Sequence, residues 1–431
     1  MKGPILGCIA DDLSGATDLC NNLVRAGMKV TLTIDVPAQD RLLDADAVVV
    51  ALKSRTIPTN DAVAQSLQAC RWLRQQGVRQ IYFKVCSTFD STPKGNIGPV
   101  IEVLMDELGC DFSCVVPAFP ENDRTVYKGH LFVGDVLISE SGMRNHPLTP
   151  MTDANLVRFL QQQLSASKNR RTGLIDFRSV AESSDAILRR IGELRRKGAS
   201  IAIADTISND DLSRLASALR DAPLITAGSG LAIRLPSVWG FCPSAESGEL
   251  PPAHGRKVIL SGSCSTATNA QILRFIQGGG AAHFLDSVTL SEGFDGQVEQ
   301  ILAWADTCWD RDPALPLLVY STAEPSIVKE TQERLGVEQS GELVESAFSM
   351  LARAFVSRGA GQLVVAGGET SGTCVRALDI KQMQIGPQID PGVPWCYASS
   401  PLSAQGCIHI TLKSGNFGSQ DFFRKALKLL K

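Results

Sequence analysis

The 431 residues read as an α/β chain of two domains, with mainly parallel sheets and a cleft between them. Three observations predict this. Short apolar runs alternate with amphipathic stretches of helical period in both halves. A segment rich in proline interrupts that rhythm near residue 245. Polar residues and glycine turns gather directly after the apolar runs, where open α/β sheets bind their ligands.

In the first half, "PILGCIA" reads as a buried strand. It runs into "DDLSGATD", a pair of acids and a turn of small residues that opens a helix. That helix places Leu19, Leu23, Val24 and Ala26 near one face, and Gly27 ends it. "DAVVVAL" (46–52) is the next strand, 59–77 a helix, "QIYFKV" (80–85) a strand, 98–109 a helix and 111–119 a strand. Strands at 173–177, 200–205 and 223–228 complete the half. The stretch 235–257 holds four prolines and little apolar periodicity, so it reads as the connection between domains. The expected division is 1–240 for a substrate domain, 241–256 for the linker and 257–431 for a second α/β domain. There the strands fall at 257–263, 282–287, 315–322 and 361–368, and the clearest helix at 340–358.

Composition narrows the function. A hydrophobic content of 44% allows large cores, and a net charge of −3 without a basic block argues against a nucleic-acid partner. No apolar run approaches a membrane span, and the N-terminal stretch is interrupted by acids too early for a signal peptide. The 12 cysteines are scattered through apolar segments such as those of Cys8, Cys20, Cys70 and Cys114. They read as reduced, structural thiols of a cytoplasmic protein. The five histidines form no metal-ligand cluster, so no protein-held metal is expected.

The first-half strand ends collect Asp11 and Asp12, then Arg55, then Lys84, Ser87 and Asp90, then Arg124, with Arg144 and His146 further on. Such a set suits a small anion rich in hydroxyls. Arginine and lysine bind a carboxylate, and an aspartate can orient a hydroxyl and take its proton. Taken singly, Ser54, Ser91, Lys94, Lys128 and His130 read as loop or capping residues. The second half carries three turns of small residues, "LSGSCSTAT" (260–268), "VAGGETSGT" (365–373) and "LKSGNFGSQD" (412–421). Glycine lets backbone N–H groups approach phosphate, and helix N-termini favour negative charge. None is a Walker A loop, and no G-x-G-x-x-G opens either domain, which disfavours a dinucleotide-dependent dehydrogenase. An anion site in one domain and phosphate turns in the other suggest phosphoryl transfer, with closure aligning donor and acceptor.

The stretches "IADDLSGATD", "LKSRTIP", "FKVCSTFDSTPKGNIGPV", "VILSGSCS", "AGGETSG" and "LKSGNFG" together resemble the four-carbon acid sugar kinase family, and within it the subgroup acting on 3-oxo-tetronate. The resemblance implies a sugar-acid domain followed by a nucleotide domain. The γ-phosphoryl group of ATP, bound with Mg2+, would pass to the 4-hydroxyl of a four-carbon acid. It also implies nucleotide contacts at Ser261, Ser263, Gly367, Gly368, Glu369, Thr370 and Gly415, with Asp11 and Asp12 at the acceptor hydroxyl. The expected partners are the sugar acid and ATP, with self-association left open. D-threonate and D-erythronate remain alternative acceptors, and a non-catalytic sugar-acid sensor is the reading from another class. Of the two acids, Asp12 is expected to face the acceptor and Asp11 to cap the helix or brace the loop.

Overall fold

The structure, a computed structural model, describes residues 3–37, 44–146, 148–244, 246–321, 337–415 and 417–430. The chain divides into two compact units, Met1–Gly248 and Glu249–Lys431.

The strands of the first unit are β1 (Leu6–Ala10), β2 (Val30–Ile34), β3 (Ala47–Ala51), β4 (Gln80–Lys84), β5 (Ser113–Val116), β6 (Arg124–Tyr127), β7 (His130–Val133), β8 (Val136–Leu137), β9 (Thr172–Ile175), β10 (Ile201–Ala204) and β11 (Leu224–Ala227). Its helices are α1 (Leu13–Arg25), α2 (Thr59–Gln75), α3 (Ile97–Leu108), α4 (Leu156–Gln163), α5 (Phe177–Glu182), α6 (Ser184–Arg196) and α7 (Asn209–Ala218). The main sheet runs β2-β3-β1-β4-β11-β5-β10-β9 and every pairing in it is parallel. This order brings the carboxyl ends of β1, β4, β11 and β5 side by side. The strands are short and mostly apolar because helices cover both faces, as in Ala47–Ala51, where all five residues are buried. The core gathers Trp72, Phe83, Phe89, Phe159, Leu104 and Ile203. Each such side chain contributes about 1.5–3 kcal/mol by leaving water.

Besides β2, a strand the sequence reading did not include, two features depart from it. The strand expected over 111–119 ends at Val116, before Pro117, which has no N–H for the ladder. The loop expected after it folds into a small antiparallel sheet, β6-β7-β8. Lys128 and Gly129 form its first turn, both with positive φ (49° and 75°), the backbone hand that a two-residue hairpin needs.

The second unit contains β12 (Arg256–Ser261), β13 (Ala281–Phe284), β14 (Leu317–Tyr320), β15 (Ala360–Ala366), β16 (Gln382–Asp390), β17 (Val393–Ser399) and β18 (Cys407–Lys413). Its described helices are α8 (Thr266–Gln277), α9 (Ser287–Glu292), α10 (Phe294–Arg311), α11 (Val337–Ser357), α12 (Gly368–Ala377) and α13 (Phe422–Leu429). The strands run β13-β14-β12-β15-β18-β17-β16. The first five are parallel; β17 pairs antiparallel with both β18 and β16, across a Pro391-Gly392 turn. Thr322, the last residue of the strand expected over 315–322, lies outside the described residues. The Cys407–Lys413 strand puts Lys413 at its carboxyl end, next to the ends of β15 and β12.

Candidate functional site

The first-unit site begins with the backbone of Asp11. Its N–H donates to Lys84 O (3.2 Å), and its carbonyl accepts from Ser54 N (3.0 Å) and Arg55 N (3.2 Å). The ends of β3, β1 and β4 are thereby tied together, and Arg55 folds over the acids. Its Nε and Nη2 donate to the two oxygens of Asp11 at 2.9 and 2.8 Å. Nη2 also donates to Asp12 Oδ1 at 2.6 Å, and Nη1 to Asp90 Oδ2 at 3.4 Å. Thr88 Oγ1 donates to the other oxygen of Asp90. One guanidinium therefore holds three carboxylates, a geometry open to arginine and not to lysine.

The two adjacent acids divide their work, and of the two roles open to Asp11, capping or bracing, the structure gives it the brace, while Asp12 caps the helix. Asp12 is the N-cap of α1, extended at φ −151° and ψ 159°, and its Oδ1 accepts from Gly15 N at 3.1 Å. Asp11 braces Arg55 instead. The Asp12 side chain is 28% exposed against 6% for Asp11, so Asp12 is also the acid open to a ligand. Burial dominates at Asp11 and raises its pKa, with Arg55 opposing. Burial pushes Asp12 upward as well, but Arg55, Lys84 and the Gly15 N–H together outweigh it and hold that carboxyl below the usual range.

Lys84 is buried at the end of β4 and donates Nζ to Val85 O at 2.9 Å. A Cβ at position 15 would stand 2.9 Å from that Nζ, so Gly15 is what lets the lysine reach the α1 N-terminus. Arg124 opens β6, donating Nη1 to Asn122 O, and acts on Asp18 electrostatically. Ser87 lies against the turn after β11, its Cα 3.5 Å from a Cβ placed on Gly228. Arg144 is exposed and donates to Ser139 O at 3.4 Å, while His146 Nδ1 accepts from Thr149 N at 3.1 Å. Asp205 accepts from Gly129 N (2.8 Å) and Phe177 N (2.9 Å), a brace for the β6-β7 turn.

In the second unit the three small-residue turns meet. They follow β12, β15 and β18, three neighbouring parallel strands. A Cβ on Gly367, whose φ is +126°, would lie 3.0 Å from Thr370 Oγ1 and 3.2 Å from Ser263 N. A Cβ on Gly415 would lie 2.5 Å from Ser263 Oγ. Ser261 is buried at the end of β12, and Gly368 and Glu369 are exposed at the start of α12. Ser265 caps α8, its Oγ accepting from Thr268 N at 3.2 Å, and donates to Gly415 O at 2.6 Å. The N-termini of α8 and α12 thus open beside one another's turns, with glycine at each close approach. Backbone N–H groups and helix dipoles in this arrangement suit phosphate.

Sequence reasoning missed the residue that ties these turns together. Lys413 is fully buried and donates Nζ to Thr268 Oγ1 (2.9 Å), Ser414 O (3.1 Å) and Gly415 O (3.0 Å). Burial pushes its pKa down to about 7. The available signal was a lysine ending the apolar run "IHITLK", as Lys84 ends "IYFK".

Comparisons with known proteins place the chain in a family. Residues 6–235 match the sugar-binding N-terminal domain family, and residues 258–423 match the nucleotide-binding C-terminal domain family. A 3-oxo-tetronate kinase of Pseudomonas fluorescens is 50% identical over 431 residues, covering 98% of this chain and 96% of its own. One from Burkholderia multivorans is 50% identical over 433 residues, covering 99% and 97%. Among solved structures, a Salmonella typhimurium LT2 protein put forward as a tRNA synthase superposes with a TM-score of 0.89, at 39% identity and 99% coverage of both chains. A Haemophilus influenzae protein does so at 0.81, with 40% identity and coverage of 97% and 98%. The chain belongs to the four-carbon acid sugar kinase family, alongside the 3-oxo-tetronate kinases.

Proposed function

We propose that this protein transfers the γ-phosphoryl group of ATP to the 4-hydroxyl of 3-oxo-tetronate, a reaction of four-carbon acid sugar catabolism. The observation that carries the phosphoryl-transfer reading is the meeting of three glycine and serine turns at the ends of β12, β15 and β18. The choice of acid rests on likeness to 3-oxo-tetronate kinases over nearly the whole chain.

ATP is assigned to the second unit, at Ser261, Ser263, Gly367, Gly368, Glu369, Thr370 and Gly415. Mg2+ keeps several waters and leans on phosphate oxygens with one or two protein ligands. Ser263 and Glu369 are donors of that kind beside the turns, and the metal would neutralise the phosphate charge. The acid is assigned to the first unit. Arg55 is already occupied by three carboxylates, so Lys84 and Arg124 are the cations with capacity for the substrate carboxylate. Asp12, ionised and the more exposed acid, orients the 4-hydroxyl and accepts its proton as the phosphoryl group arrives. The transition state is loose, so a positioned hydroxyl matters more than a strong base. Among the described residues no helix is long and apolar enough to cross a membrane, and a cytoplasmic location fits the free cysteines.

The test is ADP release measured with 3-oxo-tetronate, D-threonate and D-erythronate in parallel. The highest kcat/KM is expected for 3-oxo-tetronate. A tenfold preference for either of the other acids would move the assignment to that substrate.

A further inference from the structure

Three buried polar atoms on three elements of the first unit gather in one region: Asp18 Oδ1 on α1, Ser229 Oγ after β11 and Arg124 Nε on β6; none has a hydrogen bond of good geometry, and the Ser229 hydroxyl is near enough to act on Asp18 as a donor. Each would cost about 1–3 kcal/mol if it stayed unsatisfied, so such a gathering calls for a guest.

The backbone shows how they meet. Gly15, Asp18 and Asn22 lie three and four residues apart on α1 and share one face. Gly15 is the residue against which Lys84 Nζ rests. Asn22 Nδ2 donates to Ser229 O at 2.9 Å and holds the turn after β11 against the same face. Tyr82, two residues before Lys84 and so on the same side of β4, donates its hydroxyl to Gly228 O. Ser229 is 1% exposed, and its hydroxyl together with Lys84 and Arg124 favours the charged form of Asp18, although burial raises that pKa overall. Asp12 is the other charge acting on Asp18.

We infer that Asp18 and Ser229 form the specificity pocket of the acid, Asp18 accepting from a substrate hydroxyl and Ser229 donating to the neighbouring oxygen, with Arg124 and Lys84 on the carboxylate side. This rests on the proposed function and goes further, because it names which residues read the carbon that distinguishes a keto acid from its hydroxy relatives. A site built to bond a polar substituent discriminates strongly, since the wrong substrate leaves the protein group unpaired.

Ser229→Ala and Asp18→Asn test the pocket. Both should raise the KM for the acid at least tenfold and leave the KM for ATP within twofold. Melting temperatures should stay within a few degrees of wild type, because neither side chain has a protein partner of good geometry to lose. A merely structural role predicts the opposite: a lower melting temperature in Ser229→Ala with the acid KM unchanged, which overturns the inference. Calorimetry of four-carbon acid binding to wild type and both variants separates this from the kinase reading. Acid binding that weakens in the variants supports the pocket even if no ADP is released. Binding that is equal in all three proteins, or absent in all three, overturns it.

Discussion

Lys84 in the first unit and Lys413 in the second are the same device in two settings. Each ends a parallel strand, each is buried, and each turns its ammonium back onto the carbonyl of the next residue, Val85 O at 2.9 Å and Ser414 O at 3.1 Å. Their surroundings differ. Lys84 acts on Asp11, Asp12 and Asp18, in a site dominated by side-chain charge. Lys413 sees two carbonyls and a hydroxyl, and burial alone is what moves its pKa. The lesson is that a lysine at a strand end carries little meaning until its neighbours are known. Among acids it tunes carboxylate charge; among glycine turns it fixes backbone and hydroxyl groups.

The contrast is broken most sharply at Asp12. Asp12→Asn should lower turnover by roughly 10²–10⁴-fold, the range of a general acid–base group, and leave ATP affinity unchanged. The amide keeps an oxygen for Gly15 N, so loss of stability should stay within about 1 kcal/mol. Steady-state kinetics beside a melting curve checks both. Turnover within threefold of wild type would remove Asp12 from the reaction.

Next in size is the ion cluster. Arg55→Met leaves Asp11, Asp12 and Asp90 without their shared cation in a poorly hydrated site. Removing one partner of a buried pair costs about 3–5 kcal/mol. Urea unfolding should show a loss of that order in the transition of the first unit. A loss below about 1 kcal/mol would mean that water screens the three carboxylates.

The smallest and most diagnostic effect concerns Lys413. Its three acceptors match the three donors of an ammonium, and a neutral amine has only two. The folded pKa of about 7 lies below the unfolded lysine value, so the folded state sheds its proton first as pH rises. Two consequences have opposite signs. The contribution of this group to stability grows between about pH 7 and the unfolded pKa, because the unfolded chain then binds more protons. The grip on the Gly415 turn weakens over the lower part of that range, and the KM for ATP should rise several-fold between pH 6 and 8.5. Lys413→Arg, which stays charged, should flatten that profile. A wild-type profile identical to that of the variant would show that Lys413 does not titrate there.

Much of this was legible in the sequence. Alternating apolar runs are strands and helices because parallel strands buried on both faces must be apolar, and the runs at 46–52, 80–85 and 361–368 correspond to β3, β4 and β15. The acid pair and the glycine turns were visible because ligand groups follow strand ends in this architecture. Strand β2, the β6-β7-β8 sheet and strands β16, β17 and β18 escaped: short runs carry little periodicity, and Gly386, Pro387 and Pro394 interrupt the longer ones. Which acid caps α1 could not be read either. Adjacent aspartates have the same chemistry, and only the backbone angles at Asp12 and the reach of Arg55 from β3 distinguish them.

Composition, strand–helix rhythm and the spacing of polar residues by themselves determined an α/β chain with charged strand ends in one half and small-residue turns in the other. Tertiary structure decided the rest. Asp18, Ser229 and Arg124 are far apart in sequence, and so are Thr268, Gly415 and Lys413. Sheet order alone places β4 between β1 and β11, and β15 between β12 and β18. Hydrogen bonds and burial depend on distances of a few ångströms, and a linear pattern does not encode which distant residues will share them.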